Sequence, residues 1–276
     1  MRRRSAALIA AVLLAAGCSG AEDRGADAAV PPPTTAPSPT PSPTPTGDPQ
    51  DEVRAAVART VRTSARVATR HELRSGGRIF TLTVTGDFDL GRDRGRLAVD
   101  FPGGAIDHLD EVFAGDRIYV RGFSGRAGEW GSIPRRDARA HYLLRAPLND
   151  PEHVLQQLAR ARLYQAVGER DVNGSPATLY HGSLDFRALT YRMAGGTRSD
   201  LGRLRRAARD GDLGVRVLAW VDRQGRVVRT EVAFRQGGVE ATSITTLSDF
   251  GKPVKVIAPR AGSVTPIGTY SGILPG

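Results

Sequence analysis

Hydrophobic and polar side chains alternate along several separate stretches of the chain, and this period of two constrains the fold more than any other feature. Two such stretches are RIFTLTVTGDFDL (78–90) and RGRLAVDF (94–101). Their alternating apolar positions are Phe80, Leu82, Val84, Phe88, Leu97, Val99 and Phe101. Alternation of this kind is typical of antiparallel strands that turn one face to a core. The sequence therefore predicts a sheet with one continuous apolar face.

Helical patterns interrupt the strands. Asp48 or Asp51 can cap a helix that runs to about Ala65, and Asp150-Pro151 has the features of a second helix start. A third helical region is predicted over 187–210, with a break at Gly195-Gly196. Strand patterns resume over 162–185 and 213–251, followed by a short strand in PVKVIAP (253–259). This order predicts an α+β fold, with one large antiparallel sheet and helices packed on one side of it.

The only cysteine, Cys18, directly follows an apolar run. Three arginines at 2–4 precede that run, and its span of 6–16 is too short for a membrane-crossing helix of roughly twenty residues. Small residues before a cysteine, as in LLAAGC (13–18), are typical of bacterial lipoprotein signals. We therefore expect residues 1–17 to be a signal peptide and Cys18 to carry lipid, which anchors the chain at the extracytoplasmic face of the cell membrane. The alternative is an ordinary secreted protein.

A spacer separates Cys18 from the folded domain. PPPTTAPSPTPSPTPTGDP (31–49) alternates proline with serine and threonine, a composition that favours extended polyproline II and does not form a core. Residues 18–50 are therefore predicted to be a lipidated N-terminus and tether. The domain is predicted over 51–260. Residues 261–276 are small and polar and are predicted to form a loosely ordered tail.

The chain contains no pattern typical of catalysis. Metal-protease, nucleophile-elbow and phosphate-loop motifs are missing, and the five histidines lack metal-ligand spacing. We therefore expect no enzymatic activity, no cofactor and no metal. The formal charge of +10 suits anionic lipid or nucleic acid, but an exported protein meets lipid far more readily, so no nucleic acid partner is expected.

Two charged groups leave alternatives open. Asp107, His108, Asp110 and Glu111 are either a metal site or an exposed strand edge. A run of arginines lies on the third helix, and it forms either a solvated face or a set that binds phosphate or carboxylate headgroups. These headgroup candidates are Arg203, Arg205, Arg206 and Arg209.

The second half of the chain resembles a known family. The similarity is carried by the stretch VNGSPATLYHGSLDFRAL (172–189), the hairpin VRVLAWVDRQGRVVRTEVAF (215–234) and the closing segment TTLSDFGKPVKVIAP (245–259). In these stretches the chain resembles the LppX/LprAFG lipoproteins of actinobacteria. The match is strong after residue 165 and looser over 51–165.

The resemblance implies a half-open β-barrel like that of the LolA and LolB carriers, with helices across its concave face and an apolar cavity between. We expect strand residues to line that cavity and two helix residues to cover it. The candidates are Phe80, Leu82, Val84, Phe88, Leu97, Val99, Phe101, Tyr180 and Leu184 on strands, with Leu155 and Leu158 on the helix. The same residues are equally consistent with a filled core.

Two functions remain open at this point. The first, which the resemblance favours, is a membrane-anchored lipoprotein that binds an acylated lipid or glycolipid and carries it through the envelope without catalysis. The second is a scaffold or sensor with a filled core, which binds another envelope protein. An enzyme would need a site assembled from scattered residues such as His108, Asp110 and His181. The sequence specifies neither the lipid nor any membrane transporter that works alongside.

Overall fold

The computed structural model describes residues 47–104, 106–122, 128–208, 211 and 213–267. Cys18, the signal and most of the tether lie outside these ranges. The helices are α1 (Pro49–Thr60), α2 (Pro151–Arg160), α3 (Phe186–Leu189) and α4 (Gly195–Ala207). The strands are β1 (Ser64–Ser75), β2 (Arg78–Asp89), β3 (Arg94–Asp100), β4 (His108–Ala114), β5 (Arg117–Arg121), β6 (Trp130–Pro134), β7 (Arg162–Val172), β8 (Ser175–Leu184), β9 (Val215–Asp222), β10 (Val227–Gln236), β11 (Val239–Ser248) and β12 (Val264–Pro266).

All twelve described strands form one sheet in the order β12-β6-β5-β4-β3-β2-β1-β11-β10-β9-β8-β7. The edge strands β12 and β7 do not pair with each other, so the sheet is an open barrel, which confirms the predicted fold class. One pairing differs from prediction: β12 runs parallel to β6, and the sheet is therefore mixed. The two strands are joined by the whole chain from 135 to 263, which provides the long connection that a parallel pairing needs.

One face of the sheet carries the core. Its alternating side chains, including Val84, Phe88, Leu97 and Val99, are fully buried. Helix α1 packs against β7, β9, β10 and α2. The Thr60 hydroxyl at its end donates to the Ala56 carbonyl (2.7 Å) and accepts from the Val227 N–H (2.9 Å). This pair of bonds ties the last turn of α1 to β10.

The start of α2 is fixed by a buried ion pair. Asp150 caps the helix by accepting from the Glu152 N–H (3.1 Å), and its side chain is fully buried. Arg135 holds the same carboxylate at two points, with Nε 3.0 Å from Oδ2 and Nη2 2.8 Å from Oδ1. Arg135 also pairs with Asp93 and Glu152, each at 2.8 Å. The network anchors α2, and the loop before it, to the end of β6.

Several element boundaries differ from the sequence-based prediction. Helix α1 ends at Thr60 rather than about Ala65, because Ser64 and Ala65 already belong to β1. The third helical region is two helices, α3 and α4. The segment 253–259, predicted as a short strand, has no regular secondary structure and pairs with no strand. Residues Val264–Pro266, which the sequence assigned to the tail, form β12 instead, since their backbone pairs with β6.

Candidate ligand-binding site

A pocket of about 110 Å³ lies where the hairpin β1–β2 meets the start of β11. The loop 142–145 forms its remaining wall. Its described lining residues are mainly apolar: His71, Glu72, Leu73, Phe80, Thr81, Leu82, Phe101, Tyr142, Leu143, Leu144, Arg145, Val239, Ala241 and Thr242.

Strand register brings the inner-facing walls together. Leu73 of β1 lies opposite Phe80 of β2 on one side and Ala241 of β11 on the other. The next inward position pairs His71 with Leu82. Since Ala241 is small, it leaves free space between its larger neighbours, and the pocket occupies that end of the sheet.

The loop that covers the pocket contains unusual backbone conformations. Leu144, Leu148 and Asn149 have φ values of 60°, 46° and 53°, in the left-handed region that favours glycine. Such conformations cost about 1–3 kcal/mol each for residues other than glycine, and they cluster at ligand clamps and switch segments. The segment 142–149, the pocket cover, therefore contains strained backbone, and its residues 142–145 line the apolar pocket.

A buried polar chain runs from the pocket wall into the core. Arg145 is only 9% exposed, and its Nε donates to Asn149 Oδ1 at 3.0 Å. Asn149 Nδ2 in turn donates to Glu111 Oε1 at 2.9 Å. Glu111 is fully buried, and burial raises the pKa of its carboxyl to about 8, although Arg145 and Asn149 oppose that shift. The carboxyl is therefore mainly neutral at pH 7.

His71 faces the same pocket. Burial is the main cause that lowers the pKa of its imidazole, and the positive charge of Arg145 lowers it further. The imidazole is therefore neutral at physiological pH. Glu72 lies on the other side of β1, where Arg74 (2.7 Å) and Arg70 (3.3 Å) hold its carboxylate.

The predicted cavity residues fall into two groups. Phe80, Leu82 and Phe101 line the pocket. The others pack into the hydrophobic core, each 4% exposed or less, and do not line it: Val84, Phe88, Leu97, Val99, Leu155, Leu158, Tyr180 and Leu184. Tyr180 also donates a hydrogen bond from its hydroxyl to the Glu52 carboxylate of α1.

The described arginines of α4 are exposed at the surface, and none of them lines the pocket. Arg203 pairs with Asp200 at 2.6 Å. The Arg205 Nε donates to the Gly211 carbonyl (3.1 Å), and its guanidinium lies 5.1 Å from the Phe186 ring centre. Arg206 is exposed, while Arg209 lies outside the described residues. Local partners therefore engage two of the four predicted headgroup ligands.

The polar cluster at the start of β4 is divided between the two faces of the sheet. Asp110 faces Arg96 (2.9 Å) and Arg121, and His108 Nδ1 lies 2.6 Å from Asp100. Glu111 points into the core by strand alternation. No group of three or more potential metal ligands occurs in the described part of the chain.

The sequence analysis missed part of the pocket because β1 does not show a clear alternation. Its inner positions include Thr69 and His71, which are polar, so the period of two is weak there. Arg145 was missed because a charged residue in a loop is ordinarily exposed. The signal that was available is the run YLLRAPL (142–148), which is unusually apolar for a connecting loop.

Comparisons with known proteins give matches only among solved structures. No family model and no curated protein matches the chain. The chain is similar to LprF from Mycobacterium bovis, with 13% identity over 76% of this chain and 96% of that one, at a TM-score of 0.46. It is also similar to the lipoprotein LppX from Mycobacterium tuberculosis, with 17% identity over 76% and 98%, at 0.46. A LolA superfamily protein from Nitrosomonas europaea matches with 11% identity over 77% and 96%, at 0.32.

The chain resembles the LppX/LprAFG lipoproteins. At these identities, and with TM-scores below 0.5, the likeness to the family specifies no ligand. Among the described residues, no helix is long and apolar enough to cross a membrane.

Proposed function

We propose that this chain is a membrane-anchored lipoprotein that binds the acyl part of a lipid or glycolipid and carries it within the cell envelope, without catalysis. Cys18 is the proposed anchor on the extracytoplasmic face, and the proline-rich tether lifts the domain from the membrane. The observation that carries the proposal is the apolar pocket under the 142–149 cover.

The size of the pocket limits what it holds in this conformation. Ligand pockets commonly measure about 300–1,000 Å³. At about 110 Å³, the pocket accepts part of one alkyl chain. We infer that the pocket enlarges when the segment 142–149 moves. The movement releases the left-handed conformations of Leu144, Leu148 and Asn149. It also exposes Leu82 and Phe101, which line the pocket.

Native mass spectrometry tests this function. The full chain carrying Cys18→Ser is purified from its own or a related bacterial host, so that acyl groups on the cysteine are not mistaken for ligand. We expect a bound species that extracts as a lipid with at least one acyl chain. A bare protein mass, together with no uptake from an added membrane lipid extract, would contradict the proposal.

The filled core favours a second candidate, a protein-binding scaffold. Eight of the eleven predicted cavity residues are packed in the core rather than in the pocket, as a scaffold requires. A scaffold would contain no lipid and would be recovered in a covalent complex with one envelope protein after crosslinking in cells. The bare-mass result above combined with such a complex would establish it.

A further inference from the structure

Two neighbouring hairpin turns, β1–β2 and β10–β11, form the end of the sheet next to the pocket. The turns lie side by side, because Ser75 pairs with Arg78 across its own hairpin and with Val239 of the other. We call the surface formed by residues 70–79 and 235–240 the hairpin end. Three residues that line the pocket belong to it or adjoin it: Leu73, Phe80 and Val239.

The β1–β2 hairpin exposes an apolar side chain beside the pocket. Strand β2 pairs with β3 only over Thr83–Asp89, so residues 78–82 extend beyond β3. On this extension Ile79 lies opposite Arg74 and is 55% exposed. Scattered exposed hydrophobic residues are ordinary on soluble proteins, and others occur elsewhere in this chain. Ile79 differs from them because it directly precedes a residue that lines the apolar pocket, Phe80.

The hairpin end carries an excess of positive charge. Four arginines and two glutamates are its charged residues at pH 7: Arg70, Arg74, Arg78, Arg235, Glu72 and Glu240. Each glutamate is already paired with an arginine, at 2.7 Å and 2.6 Å. Arg78 is exposed and forms no ion pair with a described residue. The surface therefore has two more positive than negative charges, and Arg78 is available to an external anion.

We propose that the hairpin end binds the surface of a membrane that contains anionic lipid, with Arg74 and Arg78 at the headgroups and Ile79 in the acyl region below them. A surface that combines apolar side chains with cations binds at the boundary between headgroups and acyl chains. This orientation brings the pocket residues Leu73 and Phe80 close to the acyl chains. The inference rests on the proposed function, since it names the surface through which the carrier contacts the membrane.

The tether makes a weak membrane affinity sufficient. Cys18 is the proposed anchor, and residues 31–49 reach roughly 60 Å when they are extended as polyproline II. A surface that is tied to the membrane has a high effective concentration there, so a few favourable contacts are enough to hold it. The lipid anchor and the hairpin end are thus two separate attachments, and removal of Cys18 isolates the second.

Vesicle binding by the unanchored protein tests the inference. Residues 18–276 carrying Cys18→Ser include every described residue and have neither the signal nor an acyl group. They are mixed with vesicles of phosphatidylcholine alone, or of phosphatidylcholine and phosphatidylglycerol in equal parts, and the bound fraction is measured by sedimentation. We expect binding to the anionic vesicles to be at least about fivefold tighter, the factor for one arginine near the surface. Added salt should weaken this binding, because it screens the charges.

Two pairs of matched variants locate the surface. Arg78→Gln is expected to weaken binding to anionic vesicles about fivefold, whereas Arg206→Gln, at an exposed position on α4, should have no effect. Ile79→Ser is expected to weaken it at least about threefold, because less apolar surface enters the acyl region, whereas Leu163→Ser on β7 should not. All four positions lie outside the pocket lining, so these variants should bind hexadecanol, an alkyl probe added without vesicles, as the wild type does.

The outcomes separate this inference from the proposed function. Equal binding of the wild type to neutral and anionic vesicles, or equal losses in Arg78→Gln and Arg206→Gln, would overturn the role of the hairpin end. A wild type that binds hexadecanol but no vesicle would overturn membrane binding and leave a lipid binder, whose hairpin end would then suit an acidic protein. Absence of binding to both vesicles and hexadecanol would overturn the proposed function as well.

Discussion

At the scale of single residues, the unusual feature is a carboxyl group in an apolar core. Glu111 is fully buried on the inner face of β4, with Phe113 two positions further along the same face. A hydrogen bond from Asn149 satisfies Oε1, while Oε2 has no hydrogen-bond partner within the described residues. A neutral carboxyl costs far less to bury than a carboxylate.

The pH dependence of stability tests the state of Glu111. Because its folded-state pKa of about 8 lies above the unfolded value, the folded state binds more protons between these values, and the free energy of unfolding falls as pH rises through that window. We expect Glu111→Gln to flatten the fall between pH 7 and 8.5, measured by urea unfolding. The buried imidazoles of His71 and His153 do not contribute to this fall, because their pKa values are lowered from 6.5 and they titrate below that pH.

A surface substitution serves as the matched control. Glu240→Gln changes an exposed side chain paired with Arg235 and should leave the slope unchanged. A wild-type stability that stays constant from pH 7 to 8.5 would mean that Glu111 is ionised in the folded protein.

Individual apolar residues were predictable where strand alternation is strong. Phe80, Leu82 and Phe101 were identified from their period of two, and all three line the pocket. Arg145 and Asn149 were not predictable, because their burial depends on contacts between segments far apart in the sequence, such as Asn149 with Glu111.

At the scale of elements, the loop and α2 depend on one buried carboxylate. Asp150 combines a helix cap with a two-point ion pair to Arg135, and Arg192 approaches within 3.5 Å. The residues just before it are the strained ones at 144, 148 and 149. The network holds one end of the pocket cover, so its loss should also loosen that cover.

Substitution of two helix caps separates the ion pair from the capping bond. Asp150→Asn keeps a good capping side chain but removes the charge opposite Arg135, and we expect a loss of about 3 kcal/mol in the free energy of unfolding. Asp48→Asn at the exposed start of α1 should change stability by less than about 0.5 kcal/mol. Both variants are measured by urea unfolding. Equal losses in the free energy of unfolding would show that the ion pair between Asp150 and Arg135 adds nothing to the capping bond.

Element types were predicted better than element ends. Asp48 was one of two predicted caps for α1, and the start of α2 followed from Asp150-Pro151. β12 was not predictable, since three residues with one proline carry no periodic signal and pair only because β6 leaves an open edge. β1 was concealed by its polar inner positions, Thr69 and His71.

At the scale of the whole molecule, the open sheet has a packed centre and a pocket at one end. The centre, around Phe88, Phe113 and Leu97, is fully buried and stabilises the domain, which has no cysteine for a disulfide. The end near β1, β2 and β11 is incompletely filled. We infer that this division of the same apolar face separates stability from ligand binding.

A pair of identical substitutions tests the pocket most directly. Ala241→Leu adds a larger side chain inside the pocket, whereas Ala68→Leu makes the same change on the exposed face of β1, opposite Thr85 and Thr246, none of which lines the pocket. The affinity for hexadecanol, a neutral alkyl probe, is measured in both variants and in the wild type. We predict at least a tenfold loss in Ala241→Leu and no change in Ala68→Leu. Unchanged affinity in a folded Ala241→Leu would contradict the account, because the alkyl chain would then bind elsewhere.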